Sequence, residues 1–412
     1  MKADFSILCD FVAAHGNESP DALLLGRSKW PDIDIDAAVN TLRGRERLHR
    51  KVPDWAGNQS LVFPTDLCTQ QCSSAETAGF KVALAKSILK GKSAGEARLA
   101  DLTGGLGVDA FAFASNFGKV LYNEADERLA AAAQWNFYHL GAGNITISNR
   151  FVESGKLQEI LGGFKPDIIF LDPARRAVDG RKVFMLEDCS PDILSIKDEL
   201  LSLSPAVMVK LSPMADISRV VGQLGDCVSL VCTVACGGEC KELLLVLEAG
   251  HSGPASLCIY EDGTVIRRPS CKDGGDIKLF GTPVEFESSC GALIFEPGKA
   301  LLKSGLFNAP CSEGYVKLAG STHLYICRGS SGLPGKYFRI KEIRPMSSKG
   351  LKAISKTGIS AEVSTHNLPI KAEDLKKRLR ASSSPSEHIF ACKVDFVSAP
   401  SGNYLIFASR EA

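Results

Sequence analysis

Two stretches decide the fold: Leu99 to Asp109, LADLTGGLGVD, and Pro166 to Arg176, PDIIFLDPARR. Each begins as a short apolar strand, ends on an aspartate and breaks into a tight loop. In an open parallel sheet, ligands bind where the carboxyl ends of the strands meet such loops. If both strands lie in one sheet, Asp101 and Asp172 share a rim.

The sequence around them supports such a sheet. From Ala97 onward strands alternate with helices: strand 97–102, helix 108–117, strand 119–123, helix 126–140 and strand 145–148. Strands 167–171 and 206–211 follow, then a helix over 215–224. Strands alternating with helices of this length predict βαβ units and a parallel sheet. Runs 227–236 and 240–248 are separated by only three residues, too few for a parallel crossover, so they predict an antiparallel hairpin. The expected architecture is therefore α/β, a Rossmann-like sheet of five parallel strands closed by that hairpin. Four segments are expected: an N-terminal helical region over 1–92 and the sheet domain over 93–250. A small α+β unit, for which a ferredoxin-like arrangement is one candidate, covers 251–333, and a basic α+β unit covers 334–412. Within the N-terminal region, Cys72 to Leu89 reads as a helix with Ser73 and Glu76 at capping-box spacing. Ser73, Ser74, Thr77 and Lys81 are candidates to face the site from there.

Composition bounds the alternatives. The 412 residues are 45% apolar and 23% charged with a net charge of +1, values of a soluble globular protein. The near-zero charge gives no whole-chain argument for nucleic acid or membrane. The distribution is uneven, however: residues 336–412 carry fourteen Lys and Arg against seven Asp and Glu, a local charge of +7. Clustered cations bind phosphate backbones, and a solubilising surface accounts for them equally well. Residues 1–11 lack a leader-like apolar core, and no window approaches eighteen uninterrupted apolar residues. The fourteen cysteines are then expected as mostly free thiols in a reducing cytoplasm. Cys232, Cys236 and Cys240 are four apart, unlike paired zinc knuckles, and no metal is expected.

At the rim, Gly104, Gly105 and Gly107 leave a bare backbone at a helix start, which attracts an acidic group. Gly105 to Ala110 also fits G-x-G-x-x-A, a loose dinucleotide fingerprint, and Glu124 is placed to hold a ribose diol. Asp101 and Asp109 flank the glycines and would repel a pyrophosphate. They suit instead a ligand with an ammonium group, a ribose diol and a carboxylate.

DLTGGLGVD (101–109) followed by YNEAD (122–126) resembles the glycine loop and acidic ribose site of class I S-adenosylmethionine (SAM)-dependent methyltransferases. FLDPARR (170–176) resembles their fourth-strand D-P-P-x or D-P-x-R motif, seen in nucleic-acid-modifying members. QCSSAETAGFK (71–81) and the basic C-terminal unit are similar to bacterial methyltransferases with a THUMP-like C-terminal domain. The resemblance implies that Asp101, Thr103, Gly104, Gly105, Gly107 and Asp109 hold the methionine end of SAM. It places Glu124 on the ribose and Ala125 and Asp126 beside the adenine. Asp172 and Pro173 would receive the methyl acceptor, and Arg175 and Arg176 would contact phosphate or pair with nearby acids such as Asp179 and Glu187.

The resemblance has two departures. Ala174 and Arg175 stand where amine-methylating enzymes often carry an aromatic residue. Ser212 stands where carbon-methylating relatives need a nucleophilic cysteine, which disfavours a covalent adduct. The expected function is SAM-dependent RNA methylation on an amine, in the cytoplasm, with no membrane and no metal. An NAD-dependent oxidoreductase and a non-catalytic RNA-binding protein remain the alternatives.

Overall fold

The computed structural model of the chain describes residues 5–175, 186–271 and 275–411. It divides into two compact units, Met1–Cys232 with Glu242–Ala255, and Thr233–Lys241 with Ser256–Ala412.

The sheet that carries the two aspartate-ended stretches contains strands Arg98–Asp101 (β1), Lys119–Asn123 (β2), Ile145–Ser148 (β3), Ile168–Leu171 (β4), Ala206–Leu211 (β5), Val228–Cys236 (β6) and Glu239–Glu248 (β7). Their spatial order is β6-β7-β5-β4-β1-β2-β3. Five are parallel, and β7 runs antiparallel to β5. The two stretches that decide the fold are direct neighbours: Leu99 pairs with Ile168 and Asp101 with Phe170. Every residue of β4 is buried, as is typical of parallel strands covered on both faces. The hairpin turn is tighter than the spacing predicts. Glu239 already belongs to β7, and Gly237 and Gly238 make the turn with φ of +61° and +77°, the left-handed pair that matches strand twist.

Ahead of the sheet, the chain folds into helices Ser6–Ala14 (α1), Pro20–Leu25 (α2), Ile35–Lys51 (α3), Pro53–Gly57 (α4), Asp66–Gln71 (α5) and Ala75–Ser87 (α6). Asp34 caps α3 by accepting from the Ala37 N–H, and His49, Arg50 and Lys51 close its last turn, where cations favour the helix dipole. Basic residues of α3 also hold neighbouring segments. Arg47 pairs with Asp66 at 2.7 Å, and Lys51 donates to the carbonyls of Thr69, Gln70 and Cys72. These bonds fix α5 and the residues after it. The capping box of α6 is shifted by one residue from its expected place: Ser74 is the cap, exchanging bonds with Thr77. That shift frees the Ser73 hydroxyl for another partner.

Helices Val108–Ala114 (α7) and Glu127–His139 (α8) follow β1 and β2. Buried Asn136 on α8 holds the Val62 backbone through two 2.9 Å bonds and so fastens the N-terminal segment to the sheet domain. All fourteen cysteines of the chain are thiols without a disulfide. Among the described residues no helix is long and apolar enough to cross a membrane.

The second unit begins with hairpin strands Ser256–Glu261 (β8) and Thr264–Arg268 (β9). A seven-stranded sheet follows, built from Leu293–Pro297 (β10), Val316–Ala319 (β11), Thr322–Cys327 (β12), Gly335–Pro345 (β13), Glu362–His366 (β14), Glu387–Val394 (β15) and Gly402–Arg410 (β16). Its order is β11-β12-β10-β13-β16-β15-β14, with only the β14–β15 edge parallel among the pairs given by register. Helices Ser348–Thr357 and Ala372–Leu379 pack over Ile389, Ala391 and Leu405 of this sheet.

Candidate functional site

The glycine loop after β1 is shaped by aromatic side chains beneath it. A Cβ on Gly104 would lie 2.1 Å from the Tyr122 ring, and one on Gly107 would lie 2.6 Å from Phe137. Gly107 also has a φ of +93° at the cap of α7, a conformation that glycine adopts without strain. Tyr122 Oη donates to the Gly105 carbonyl at 2.6 Å. The loop's N–H groups are largely engaged within the protein. Thr103 donates to Asp101 Oδ1, Gly104 to the Asn123 carbonyl, Gly105 to Glu124 Oε2 and Gly107 to the Gly104 carbonyl. The bare backbone expected to face a ligand is thus spent mostly on holding the loop.

Asn123, which closes β2, is a scaffold residue that sequence reasoning missed. Fully buried, it donates to the carbonyls of Leu102 and Arg150 and accepts from the Arg150 N–H. One amide therefore ties together the loops after three adjacent strands. Glu124, next in sequence, accepts from Gly105 N–H at 2.8 Å and from Asp126 N–H at 2.9 Å. Each of its oxygens keeps a second lone pair for a ligand hydroxyl.

Asp101 is buried at the tip of β1, and burial followed by the nearby charge of Asp109 pushes its carboxyl well above the usual carboxylate range. Across the rim, the Asp172 N–H donates to Thr103 Oγ1 at 2.6 Å, so the two aspartate-ended loops are joined directly. Asp172 Oδ2 is 2.5 Å from Lys210 Nζ on β5. Asp109 pairs from the other side with fully buried Lys81 at 3.1 Å and accepts from Ser73 Oγ at 2.7 Å. Lys81 also meets Glu242 of β7 at 3.1 Å.

These loops surround a cavity of about 560 Å³ at the carboxyl ends of the parallel strands. Of the predicted residues, Asp101, Thr103, Gly104, Gly105, Gly107, Asp109, Glu124, Ala125 and Asp172 line it together. Pro173 is buried outside the lining, where Ala174 takes its place. The Arg175 backbone pairs with Cys189, and Arg176 lies outside the described residues. Ser73 reaches the cavity as anticipated, whereas Lys81 lies behind it. The sequence offered no signal for Arg150, Phe151 and Val152 after β3, or for Leu67 and Cys68 on α5, all of which complete the wall. Five lining carboxylates face one lining cation, Arg150, among the described residues. Lys81 and Lys210 offset Asp109 and Asp172 from behind, leaving Glu124 and Asp126 beside buried Asp101 to set the sign of the cavity.

Comparison with known proteins agrees with this architecture. Residues 335–408 match the THUMP domain-like family. The whole chain superposes on a crystal structure of a candidate methyltransferase from Porphyromonas gingivalis W83, with 26% identity, a TM-score of 0.83 and 100% of both chains covered. A candidate RNA methyltransferase from Pyrococcus horikoshii matches 48% of this chain and 95% of its own at 13% identity, with a TM-score of 0.34. No curated protein matches the sequence. The chain therefore has a Rossmann-like methyltransferase fold with a THUMP-like domain at its C-terminal end, as the sequence resemblance implied.

Proposed function

We propose that this chain is a SAM-dependent methyltransferase acting on RNA. The observation that carries the reading is the acidic rim: Asp101, Glu124 and Asp126 line the cavity together, and a cationic ligand offsets the cost that burial and the neighbouring Asp109 charge impose on ionised Asp101. A sulfonium ligand with an ammonium group suits that rim. A dinucleotide pyrophosphate would be repelled by it, which weighs against the oxidoreductase alternative. When bound, SAM supplies an electrophilic methyl group.

On this reading Asp101 accepts from the ligand's ammonium, and the backbone from Thr103 to Gly107, with Asp109 anchored behind it, borders the methionine end. Glu124 takes the ribose hydroxyls, and Ala125 and Asp126 border the adenine. Asp172 and the Pro173–Ala174 backbone orient the acceptor by accepting a hydrogen bond from its amine. Catalysis of such a transfer rests on positioning, and these residues stand on loops fixed by buried bonds. Arg175 and Arg176 are proposed to grip phosphate through their guanidinium forks. RNA as acceptor draws support from the THUMP-like domain and its local charge of +7. The unbridged thiols suit the cytoplasm.

The test is transfer of radiolabelled methyl from SAM to a lysate of cells lacking the gene. The expected label is removed by ribonuclease and lost with Asp172→Ala. Label that resists ribonuclease and yields to protease would assign a protein acceptor instead. A wild-type chain that labels nothing, and whose RNA affinity Asp172→Ala leaves unchanged, would point to the non-catalytic RNA-binding protein.

A further inference from the structure

We propose that Lys210 is a positioning residue for methyl transfer, holding Asp172 fixed with one oxygen occupied at the head of an ionic relay that runs through Glu242 and Lys81 to Asp109. This rests on the methyltransferase reading and deepens it by assigning a residue behind the acceptor site.

The relay follows from strand register. Lys210 on β5 pairs with Leu244 on β7, so Glu242, two residues away on the same strand, shares its face as a diagonal neighbour. Glu242 meets Lys81 of α6 at 3.1 Å, and Lys81 meets Asp109 at 3.1 Å. Signs alternate along the chain of groups, and both ends, Asp109 and Asp172, line the cavity. The cofactor half and the acceptor half of the site are thereby joined beneath their shared floor.

The cost of this arrangement sets it apart from ordinary core packing. Glu242 is buried, and its Oε1 has no hydrogen-bond partner. A buried ion pair often stabilises a fold less than apolar side chains of the same volume would. Stability alone therefore does not account for buried Lys81 and Glu242 behind the cavity. Burial works against the Lys210 ammonium, but attraction from Asp172, Glu242 and Asp109 outweighs it and lifts its pKa above the ordinary lysine value. A lysine so held stays cationic and takes no proton from the acceptor. Its contribution is to fix Asp172, occupying Oδ2 at 2.5 Å and leaving Oδ1, among the described residues, for an N–H donor.

The experiment compares wild type with Lys210→Met, Lys210→Gln and Lys210→Arg in the intact chain. It measures SAM affinity by calorimetry, and kcat and KM for labelling of RNA extracted from cells lacking the gene. Lys210→Gln keeps a donor without the charge and serves where the methionine variant does not fold. The expected result is a fall in kcat of about 100-fold for both neutral variants, the size of losing one preorganised electrostatic partner. SAM affinity and acceptor KM should stay within about threefold of wild type, with Lys210→Arg recovering most of the rate. Neutral variants within about threefold of the wild-type kcat would overturn the inference alone. So would loss of SAM binding and rate together in all three variants, which would mark a purely structural lysine. A wild type that neither binds SAM nor labels RNA would remove the methyltransferase reading, and this inference with it.

Discussion

Gly104 and Gly105 are adjacent, yet alanine should act very differently at the two. At Gly104 the new Cβ would sit 2.1 Å from the Tyr122 ring, which is buried and bonded through its hydroxyl to Gly105, so it has no room to yield. Gly104→Ala is expected to cost about 3 kcal/mol, at the upper end of overpacking penalties. At Gly105 nothing lies within 4 Å, and only the φ of +53° opposes a side chain. Gly105→Ala should therefore cost about 1 kcal/mol. Urea unfolding of the two variants checks this, and equal costs would contradict the packing account. Asp101 gives a second residue-scale prediction. Its folded pKa is raised, so the stability tied to its protonated form is complete below the ordinary carboxylate range and is lost as pH rises through the folded value. Asp101→Asn keeps an acceptor for the Thr103 N–H and removes that loss. The variant should be more stable than wild type near neutrality, with a flatter dependence of its unfolding midpoint between about pH 4 and pH 7. An equal slope in thermal unfolding across that range would count against the assignment.

At the scale of elements, Lys81 connects three of them: α6 carries it, the start of α7 supplies Asp109 and β7 supplies Glu242. Lys81→Met would leave buried Glu242 and part-buried Asp109 without their shared cation and is expected to cost about 3–5 kcal/mol. Adding Glu242→Leu should recover part of that loss, and chemical unfolding of the single and double variants measures it. Additive losses would show that the groups do not act as a unit. This network also marks how far the elements could be read from sequence. Short apolar runs located β2 and β5 to the residue, because burial leaves a nearly continuous apolar signal, whereas edge strand β3 was located by its alternating β-branched residues. The α6 cap was displaced by one residue because Ser73 and Ser74 present the same hydroxyl, and only the tertiary bond from Ser73 to Asp109 distinguishes them. Lys81, Lys210 and Glu242 lie in separate segments whose meeting depends on strand order and register. Asp101, Gly104 and Glu124 were legible since each stands beside a local turn signal. Arg150 and Phe151 were not, because the loop after β3 has no such signal of its own.

For the whole molecule, the central claim is that the acidic cavity of the sheet domain binds SAM. In the proposed function the C-terminal THUMP-like domain is assigned to the acceptor, and Asp101, Glu124 and the glycine loop to the cofactor. The neighbouring G-x-G-x-x-A pattern makes a nicotinamide dinucleotide the direct competitor, and the two ligands differ in the sign of charge they bring to the loop. Isothermal titration calorimetry of the intact chain with SAM and, separately, with NAD(H) discriminates between them. The account predicts saturable binding of SAM, lost or strongly weakened in Glu124→Ala and Gly104→Ala, and no heat from NAD(H). Binding of NAD(H) with no affinity for SAM would contradict it.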